Sequence, residues 1–305
     1  MSDQQPGVQA GTAKNNVGKI INRGKSPSIS FEFFPPKTEE AAETLFRSIE
    51  RLVPLNPSFV SVTYGAGGTT RQLTHELVLR IRKTTNLTVV PHMTCVGCTK
   101  DDMHRIIGEY VDEGITNMLA LRGDPPKGED ASIFDQCDFP YALDLIEFIK
   151  KEFPSVCVGA ACYPEGHKET PNRLREMDLL KKKVDSGVEW LVTQMFFDNH
   201  EYYDFVERCR MLGINIPILA GIMPIASKGG MDKMAELSPG TRFPAKLLQG
   251  IDWVDDDSLV KNVGIQWATQ QVFDLLANDV DGIHFYTLNR SKPTLEIHRN
   301  LGLCE

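Results

Sequence analysis

The fold of this chain is decided by residues 190–220, which read WLVTQMFFDNHEYYDFVERCRMLGINIPILA. The apolar, β-branched run Trp190–Gln194 predicts a strand that is covered on both faces. The amphipathic run Asn199–Leu212 predicts a helix, and Gly213 after it is a usual helix stop. A second apolar run, Ile216–Ala220, follows within a few residues. The stretch therefore predicts a strand–helix–strand unit, whose two strands run parallel.

The same alternation extends in both directions and predicts eight strands in all. They are Ser28–Phe34, Phe59–Tyr64, Leu87–His92, Asn117–Arg122, Val156–Ala161, Trp190–Gln194, Ile216–Ala220 and Gly282–Tyr286. Eight strands separated by amphipathic runs predict an α/β fold of the (β/α)8 TIM-barrel type. No linker marks a second domain, so we expect one barrel domain over residues 26–305.

Other helices are predicted at Thr38–Leu52, Asp101–Glu113, Asn172–Ser186 and Lys292–Leu301. The stretch Lys228–Leu276 is too long for one crossover. It predicts a barrel helix, an extra short helix near Phe243–Gln249 and a long helix that leads into the last strand.

A doubly wound nucleotide-binding fold is the main alternative. It requires a Gly-x-Gly-x-x-Gly sequence after an early strand. The nearest match, Gly65–Thr70, lacks the third glycine. It stays a plausible ligand-facing loop, because glycine lets the backbone approach a ligand closely.

Composition excludes several classes of protein. The net charge of −8 over 305 residues argues against a nucleic-acid binder and suits an enzyme with small ligands. No apolar run is long enough to span a membrane. The seven cysteines lack a framework spacing, and residues 1–25 lack the apolar core of a signal peptide. We expect reduced thiols, a cytoplasmic location and a disordered N-terminal tail over 1–25.

Active sites of barrels lie at the carboxyl ends of the strands, where Glu32 is the most telling residue. It lies between Phe31 and Phe33. Apolar surroundings raise the pKa of a glutamate toward neutrality, which would make it a general acid. The alternative is that Glu32 points into solvent or an ion pair.

Arg122-Gly123-Asp124 places a cation, a flexible joint and an anion at the end of the fourth strand. They could meet a ligand, or Arg122 and Asp124 could form a plain ion pair. His92 and His167 could bind ligands or be structural. No zinc-hydrolase spacing of histidines is present, and we expect no metal. Cys95-x-x-Cys98 has no second pair to complete a zinc site, and coincidence is the default interpretation.

Together the strand ends resemble the methylenetetrahydrofolate reductase family. The matching segments are Phe31–Pro36, Ser61–Gly65, Pro91–Cys95, Ala120–Asp124, Ala161–Pro164, Lys183–Gly187, Thr193–Asp198, Gly221–Pro224 and His284–Arg290. They keep the family's order from about Ser28 to Leu301.

The resemblance implies an FAD-dependent barrel enzyme that reduces 5,10-methylenetetrahydrofolate to 5-methyltetrahydrofolate with NAD(P)H by a ping-pong hydride transfer, supplying methyl groups for methionine synthesis. It implies that Glu32 is the general acid and that Asp124 lies beside flavin and pterin. It implies substrate contacts for Gln194, Tyr286 and Arg290. The FAD contacts that it implies, besides Asp124, are Thr63, His92, Arg122, Gly123, Tyr163, His167, Glu176 and Lys183.

Two positions depart from the family pattern. Glu176 stands where the family often has aspartate, and Met234 aligns near a ligand-stacking aromatic. Longer members carry a regulatory domain that binds S-adenosylmethionine, and we expect neither that domain nor that inhibition here.

Three points stay open. The choice between NADH and NADPH is not fixed by the sequence, although short members resemble NADH users. The oligomeric state is open, with a homo-oligomer compatible with the sequence. Rival interpretations are another flavin barrel, similar to proline dehydrogenase, and a non-catalytic folate- or flavin-binding barrel.

Overall fold

The computed structural model describes residues 16–21, 27–64, 71–125, 128 and 131–304, and its centre is a closed eight-stranded barrel. All eight strands are parallel, and β8 pairs with β1 to close the circle. The predicted (β/α)8 single-domain fold is therefore confirmed. The Gly65–Thr70 loop lies outside the described residues.

The strands are β1 Ser28–Phe33, β2 Phe59–Val62, β3 Val89–Thr94, β4 Asn117–Leu121, β5 Cys157–Cys162, β6 Val188–Thr193, β7 Ile218–Ile222 and β8 Gly282–Tyr286. The largest differences from the predicted bounds are shifts of two residues, at β3 and β7 among others. β7 begins after Pro217, which has no N–H to give to the ladder. The N–H of Ile218 instead bonds the carboxylate of Asp281 at 2.9 Å.

The helices are α1 Val17–Ile21, α2 Glu39–Leu52, α3 Arg71–Thr84, α4 Lys100–Asp112, α5 Ala142–Glu152, α6 Arg173–Asp185, α7 Asn199–Met211, α8 Lys228–Leu237, α9 Ala245–Asp252, α10 Asp257–Ala277 and α11 Ser291–Asn300. Thr38 caps α2 by accepting from the N–H of Ala41. The long crossover contains three helices, α8 to α10, as predicted. No helix in the described part of the chain meets the length and hydropathy needed to cross a bilayer.

Strand periodicity divides the side chains into two sets. On β1, Phe31 and Phe33 point outward into the layer between strands and helices, where both are buried. Ser30 and Glu32 point into the barrel, where they contact side chains of other strands. The interior residues therefore meet neighbours that are distant in sequence.

The amino-terminal end of the barrel is closed by α1. Val17 and Ile21 are buried against the interior residues Phe59 and Trp190. The N–H of Val17 donates to the side-chain oxygen of Asn117 at 2.8 Å. The predicted disordered tail is therefore wrong for residues 16–21, because this apolar turn seals the barrel; residues 1–15 and 22–25 lie outside the described residues.

A separate apolar cluster supports the site from the side of the long crossover. Met195 and Phe197, after β6, pack with Met234 of α8 and Leu247 of α9. Phe197 stacks on Phe243 with ring centroids 4.7 Å apart. This packing places the segment after α8 beside the carboxyl ends of β5 and β6.

Candidate functional site

A cavity of about 300 Å³ lies at the carboxyl ends of the strands. Ten of the thirteen residues predicted for the site line it. They are Glu32, Thr63, His92, Arg122, Gly123, Asp124, Tyr163, His167, Gln194 and Tyr286. The other three, Glu176, Lys183 and Arg290, do not line the cavity.

Glu32 lies at the base of this cavity, facing two histidines. Its Oε2 atom is 3.3 Å from Nε2 of His92 and 3.6 Å from Nε2 of His284. The side chain is 18% exposed. Glu32 is thus inside the barrel and not directed into bulk solvent.

The expected pKa of Glu32 is wrong in direction. Burial acts to raise it, as expected, but the hydrogen-bonding and charge interactions with His284 and His92 outweigh burial and lower the pKa to about 2. The phenylalanines beside Glu32 in sequence point to the opposite face of the strand. The carboxylate therefore meets imidazoles, which favour its ionised form.

Gln194 and Tyr286 reach the cavity from β6 and β8. The hydroxyl of Tyr286 donates to the carbonyl of Thr193 at 2.6 Å, which fixes its ring. The side-chain oxygen of Gln194 accepts from the N–H of Met195 at 3.0 Å. The NH₂ group of Gln194 is then the end of the amide that faces a ligand.

Gly221 of β7 leaves room for Tyr286. A Cβ atom at Gly221 would lie 2.4 Å from the carbonyl oxygen of Thr193 and 2.7 Å from the Tyr286 ring. A side chain at this position would push the tyrosine out of place.

Arg122 forms an ion pair with Glu169 of the loop after β5, and not with Asp124. Its two terminal nitrogens contact the carboxylate of Glu169 at 2.7 and 2.8 Å. A plain Arg122–Asp124 pair is therefore not formed, and Asp124 is exposed at the cavity. Between them Gly123 has φ +83°, a conformation that favours glycine.

The loop after β5 brings Tyr163 and His167 together, with ring centroids 4.7 Å apart and edge-on. Burial raises the pKa of Tyr163 to about 12, so the phenol stays neutral. Burial also lowers the pKa of His167, and the cation of Arg122 adds to this. Glu176 accepts from the N–H of His167 at 2.9 Å and so supports the loop from behind the cavity.

Lys183 and Arg290 stand at the margins of the site. Lys183 has no carboxylate within 4.0 Å in the described part of the chain, and burial lowers the pKa of its ammonium. Arg290 is the exposed N-cap residue of α11, outside the cavity.

The sequence analysis missed Lys168 and the segment Leu237–Pro239 at the end of α8, all of which line the cavity. Glu165 is a further buried residue nearby, and its carboxylate accepts from the N–H of Arg242 at 3.0 Å. Burial raises the pKa of Glu165 to about 7. The proline and the charged residues after α8 were the available signal in the sequence.

Met234 and the two cysteines of Cys95-x-x-Cys98 are all buried. Met234 is buried in the apolar cluster beneath α8, away from the cavity lining. Cys98 accepts from Arg71 at 2.9 Å, and burial raises the pKa values of both thiols. In the described part of the chain, no three His, Cys, Asp or Glu side chains form a metal-binding group.

Comparison with known proteins places the chain in one family. The family model described as methylenetetrahydrofolate reductase matches residues 16–302. The chain is 39% identical over 277 residues to the 5,10-methylenetetrahydrofolate reductase of Escherichia coli K12, covering 90% of this chain and 91% of that one.

A plant relative and a solved structure extend the comparison. The chain is 37% identical over 302 residues to "Methylenetetrahydrofolate reductase (NADH) 1" of Arabidopsis thaliana; 95% of this chain matches, and it spans 51% of that relative. A Clostridium thermocellum protein, described as binding two copies of 5-methyl-5,6,7,8-tetrahydrofolic acid, has a TM-score of 0.65 at 19% identity, covering 93% and 95% of the two chains. At 19% identity this similarity supports the fold, and it carries no conclusion about ligands or activity.

Proposed function

The chain belongs to the methylenetetrahydrofolate reductase family, and on that premise we propose that it reduces 5,10-methylenetetrahydrofolate to 5-methyltetrahydrofolate through FAD, with NAD(P)H as the hydride source in a ping-pong reaction. The product would supply methyl groups for methionine synthesis in the cytoplasm. The observation that carries this proposal is the position of Glu32. An ionisable carboxyl group stands at the base of the cavity, with Gln194 and Tyr286 beside it.

The residues around the cavity fit a flavin dinucleotide. In a chain with net charge −8, the cations Arg122 and Lys168 line the same opening, as does His167. They would oppose the charge of a pyrophosphate.

FAD, when bound, would supply the chemistry of hydride transfer between the nicotinamide and the folate. Thr63, His92, Gly123, Tyr163 and Asp124 would contact it from the strand ends. The carboxylate of Asp124 would disfavour negative charge on its reduced form. Glu176 and Lys183 would act at the edge of this site, Glu176 by holding the N–H of His167.

The folate would occupy the same cavity after the nicotinamide leaves. The free NH₂ of Gln194 and the ring of Tyr286 would orient it, and the exposed guanidinium of Arg290 could meet its carboxylates. Glu32, whose ionised form the two imidazoles favour, would first take up a proton and then deliver it to the bridge nitrogen. Opening of the bridge then leaves a carbon that accepts hydride. We propose NADH as the physiological donor, a choice supported by the Arabidopsis relative, which is named as an NADH-dependent enzyme.

An anaerobic two-step spectrum tests this function. The purified, FAD-loaded protein receives NADH, and then 5,10-methylenetetrahydrofolate. Loss of the flavin absorbance with NADH and its recovery with the folate are the expected results. Loss without recovery would favour a different flavin barrel with another acceptor. A flavin that neither NADH nor NADPH reduces would contradict the proposal and favour a binding protein.

A further inference from the structure

The outward face of α10 is uncharged over about four turns. The exposed residues from Leu259 to Phe273 are Leu259, Asn262, Gln266, Gln270 and Phe273, and we call these five residues the α10 stripe. Their spacings of three, four, four and three residues place them on one side of the helix, because an α-helix has about 3.6 residues per turn. Leu259 is 47% exposed and Phe273 is 67% exposed. The stripe therefore has a large apolar side chain at each end and three amides between them.

The exposed faces of α2 and α4 are, by contrast, charged. They include Glu39, Glu40, Glu43, Arg47 and Glu50 on α2, and Lys100, Asp101, Arg105, Glu109 and Asp112 on α4. The exposed charges of α10 lie outside the stripe, at Asp257 in the first turn and at Asp274, which accepts from Asn199 and Tyr203 at 2.7 Å. In a chain with net charge −8, like charges oppose the approach of a second copy. An uncharged stripe is a place where two copies can meet without that repulsion.

The order of residues in the stripe is the same in both directions from its centre. Leu259 and Phe273 each lie seven positions from Gln266, and Asn262 and Gln270 each lie four positions from it. If two copies of α10 pack antiparallel about a two-fold axis at Gln266, Leu259 meets Phe273 of the second copy. Asn262 then meets Gln270, and Gln266 meets its own counterpart. A two-fold contact requires this self-complementarity, and amides satisfy it because they both donate and accept hydrogen bonds.

The opposite face of α10 is held by the barrel. Nε1 of Trp267 donates to the carbonyl of Phe197 at 3.0 Å, and Nε2 of Gln271 donates to the carbonyl of Phe196 at 3.1 Å. Val272 is buried in the main core. The helix that carries the stripe is therefore already fixed, so association does not have to order it, and this lowers the entropic cost of binding. The stripe faces away from the cavity, which a second copy would leave open.

We propose that the α10 stripe is the contact surface between two copies of this chain, packed antiparallel about Gln266. The proposal does not depend on the proposed function. The stripe is about 21 Å long, and a helix is about 10 Å wide, so each copy contributes a footprint of about 200 Å². Stable complexes bury about 800 Å² on each partner. The contact therefore gives a reversible dimer with a dissociation constant in the micromolar range.

Sedimentation velocity over a series of protein concentrations that spans the micromolar range tests whether the dimer forms. We expect the wild type to change from monomer to dimer as its concentration rises. We expect Leu259→Lys and Phe273→Glu each to weaken association at least about tenfold, because each places an unpaired charge in the contact. Leu174→Glu is the matched control, since Leu174 of α6 is also apolar and is 79% exposed. A wild type that stays monomeric, or equal weakening by the control, would overturn the proposal.

The double variant Leu259→Lys/Phe273→Glu tests the antiparallel register. In that register each new lysine meets the new glutamate of the second copy. We expect the double variant to associate at least about fivefold more tightly than either single variant, since each exposed ion pair contributes up to about 1 kcal/mol. We also expect salt to weaken the double variant and not the wild type, whose contact contains no ion pair. A double variant no tighter than the single variants would overturn the register, because in a parallel pair each charge would meet its like.

Disulfide crosslinking locates the two-fold axis. Helices that pack about 8–10 Å apart bring the two Cα atoms at position 266 to about 4–6 Å, a distance that a disulfide spans. The two Cα atoms at position 262 would be separated by about 12 Å along the axis, which is too far. We expect mild oxidation to link Gln266→Cys into dimers and to leave Asn262→Cys and the wild type, with its own free cysteines, largely unlinked.

Failure of Gln266→Cys to crosslink more than Asn262→Cys would overturn the proposed axis. A monomeric Gln266→Cys variant whose introduced thiol reacts slowly with iodoacetamide would show that another segment of the same chain covers the stripe, and would also overturn the proposal. These measurements need neither flavin nor folate, so their outcome is independent of the proposed reaction.

Discussion

Both terminal nitrogens of Arg122 contact the carboxylate of Glu169, at 2.7 and 2.8 Å. The pair stands at the opening where the proposed pyrophosphate would lie. A carboxylate on this guanidinium offsets the charge that would attract a phosphate, so we expect Glu169→Gln to tighten FAD binding.

The expected effect is a two- to fivefold fall in the FAD dissociation constant, since a partly exposed pair contributes at most about 1 kcal/mol. Fluorescence titration with FAD at two salt concentrations measures it. Glu109→Gln is the control, because Glu109 also pairs with an arginine at 2.8 Å, but on the surface of α4. Weaker binding in Glu169→Gln would show instead that Glu169 aims Arg122 at the ligand.

Replacing Glu32 by glutamine should separate the two half-reactions. Glutamine keeps the size of the side chain but cannot deliver a proton to the folate. We expect flavin bleaching by NADH to be preserved and recovery by the folate to fall by about 10² to 10⁴-fold. Single-turnover absorbance measures both. A variant that recovers as fast as the wild type would exclude Glu32 as the acid.

Glu165 gives the protein a pH-dependent stability. The pKa of this buried carboxyl is raised to about 7 from 4.5, so the folded state binds its proton more tightly than the unfolded state. Its stabilising contribution is therefore complete below about pH 4.5 and is lost as pH rises through about 7.

We expect Glu165→Gln to melt at a higher temperature than the wild type at pH 8, with the difference shrinking toward pH 5. Glutamine can still accept from the N–H of Arg242. Thermal melts at both pH values measure the effect, with the exposed Glu236→Gln as control. A difference that is the same at both pH values would refute this account.

Gly221→Ala should damage folate binding more than flavin reduction. The added methyl group would overlap the Thr193 carbonyl and the Tyr286 ring, at 2.4 and 2.7 Å. We expect the Michaelis constant for the folate to rise about tenfold or more, with some loss of stability from overpacking. Steady-state kinetics measure the change. Gly108→Ala on α4 is the control, since among the described residues no atom outside its own stretch of helix backbone lies within 4 Å of the added carbon. Equal effects in both variants would contradict the prediction.

The barrel itself was predictable from local pattern. The apolar runs fall on strands, and Gly114, Gly187 and Gly213 follow α4, α6 and α7 at positive φ, as helix stops do. The small errors in strand bounds come from pairing. Met93 and Thr94 belong to β3 because they pair with Ala120 and Leu121 of β4. This pairing between strands cannot be read from the sequence of either strand alone.

The chemistry of the site was less predictable, because its decisive contacts join distant residues. The residues adjacent to Glu32 face outward, whereas His92 and His284 approach it from other strands. Glu169 is 47 residues from Arg122. Sequence could therefore place Glu32 in the site, but not determine its protonation.

The seal formed by α1 has a kinetic consequence. In the described part of the chain, Val17 and Ile21 close one end of the barrel, and the cavity lies at the opposite end. NADH and the folate would then enter through the same opening and occupy the same binding site, so each would exclude the other. An excess of either should then slow turnover by occupying the form of the enzyme that awaits its counterpart. Closure of the amino-terminal end by α1 would in this way make the two substrates compete with each other for binding.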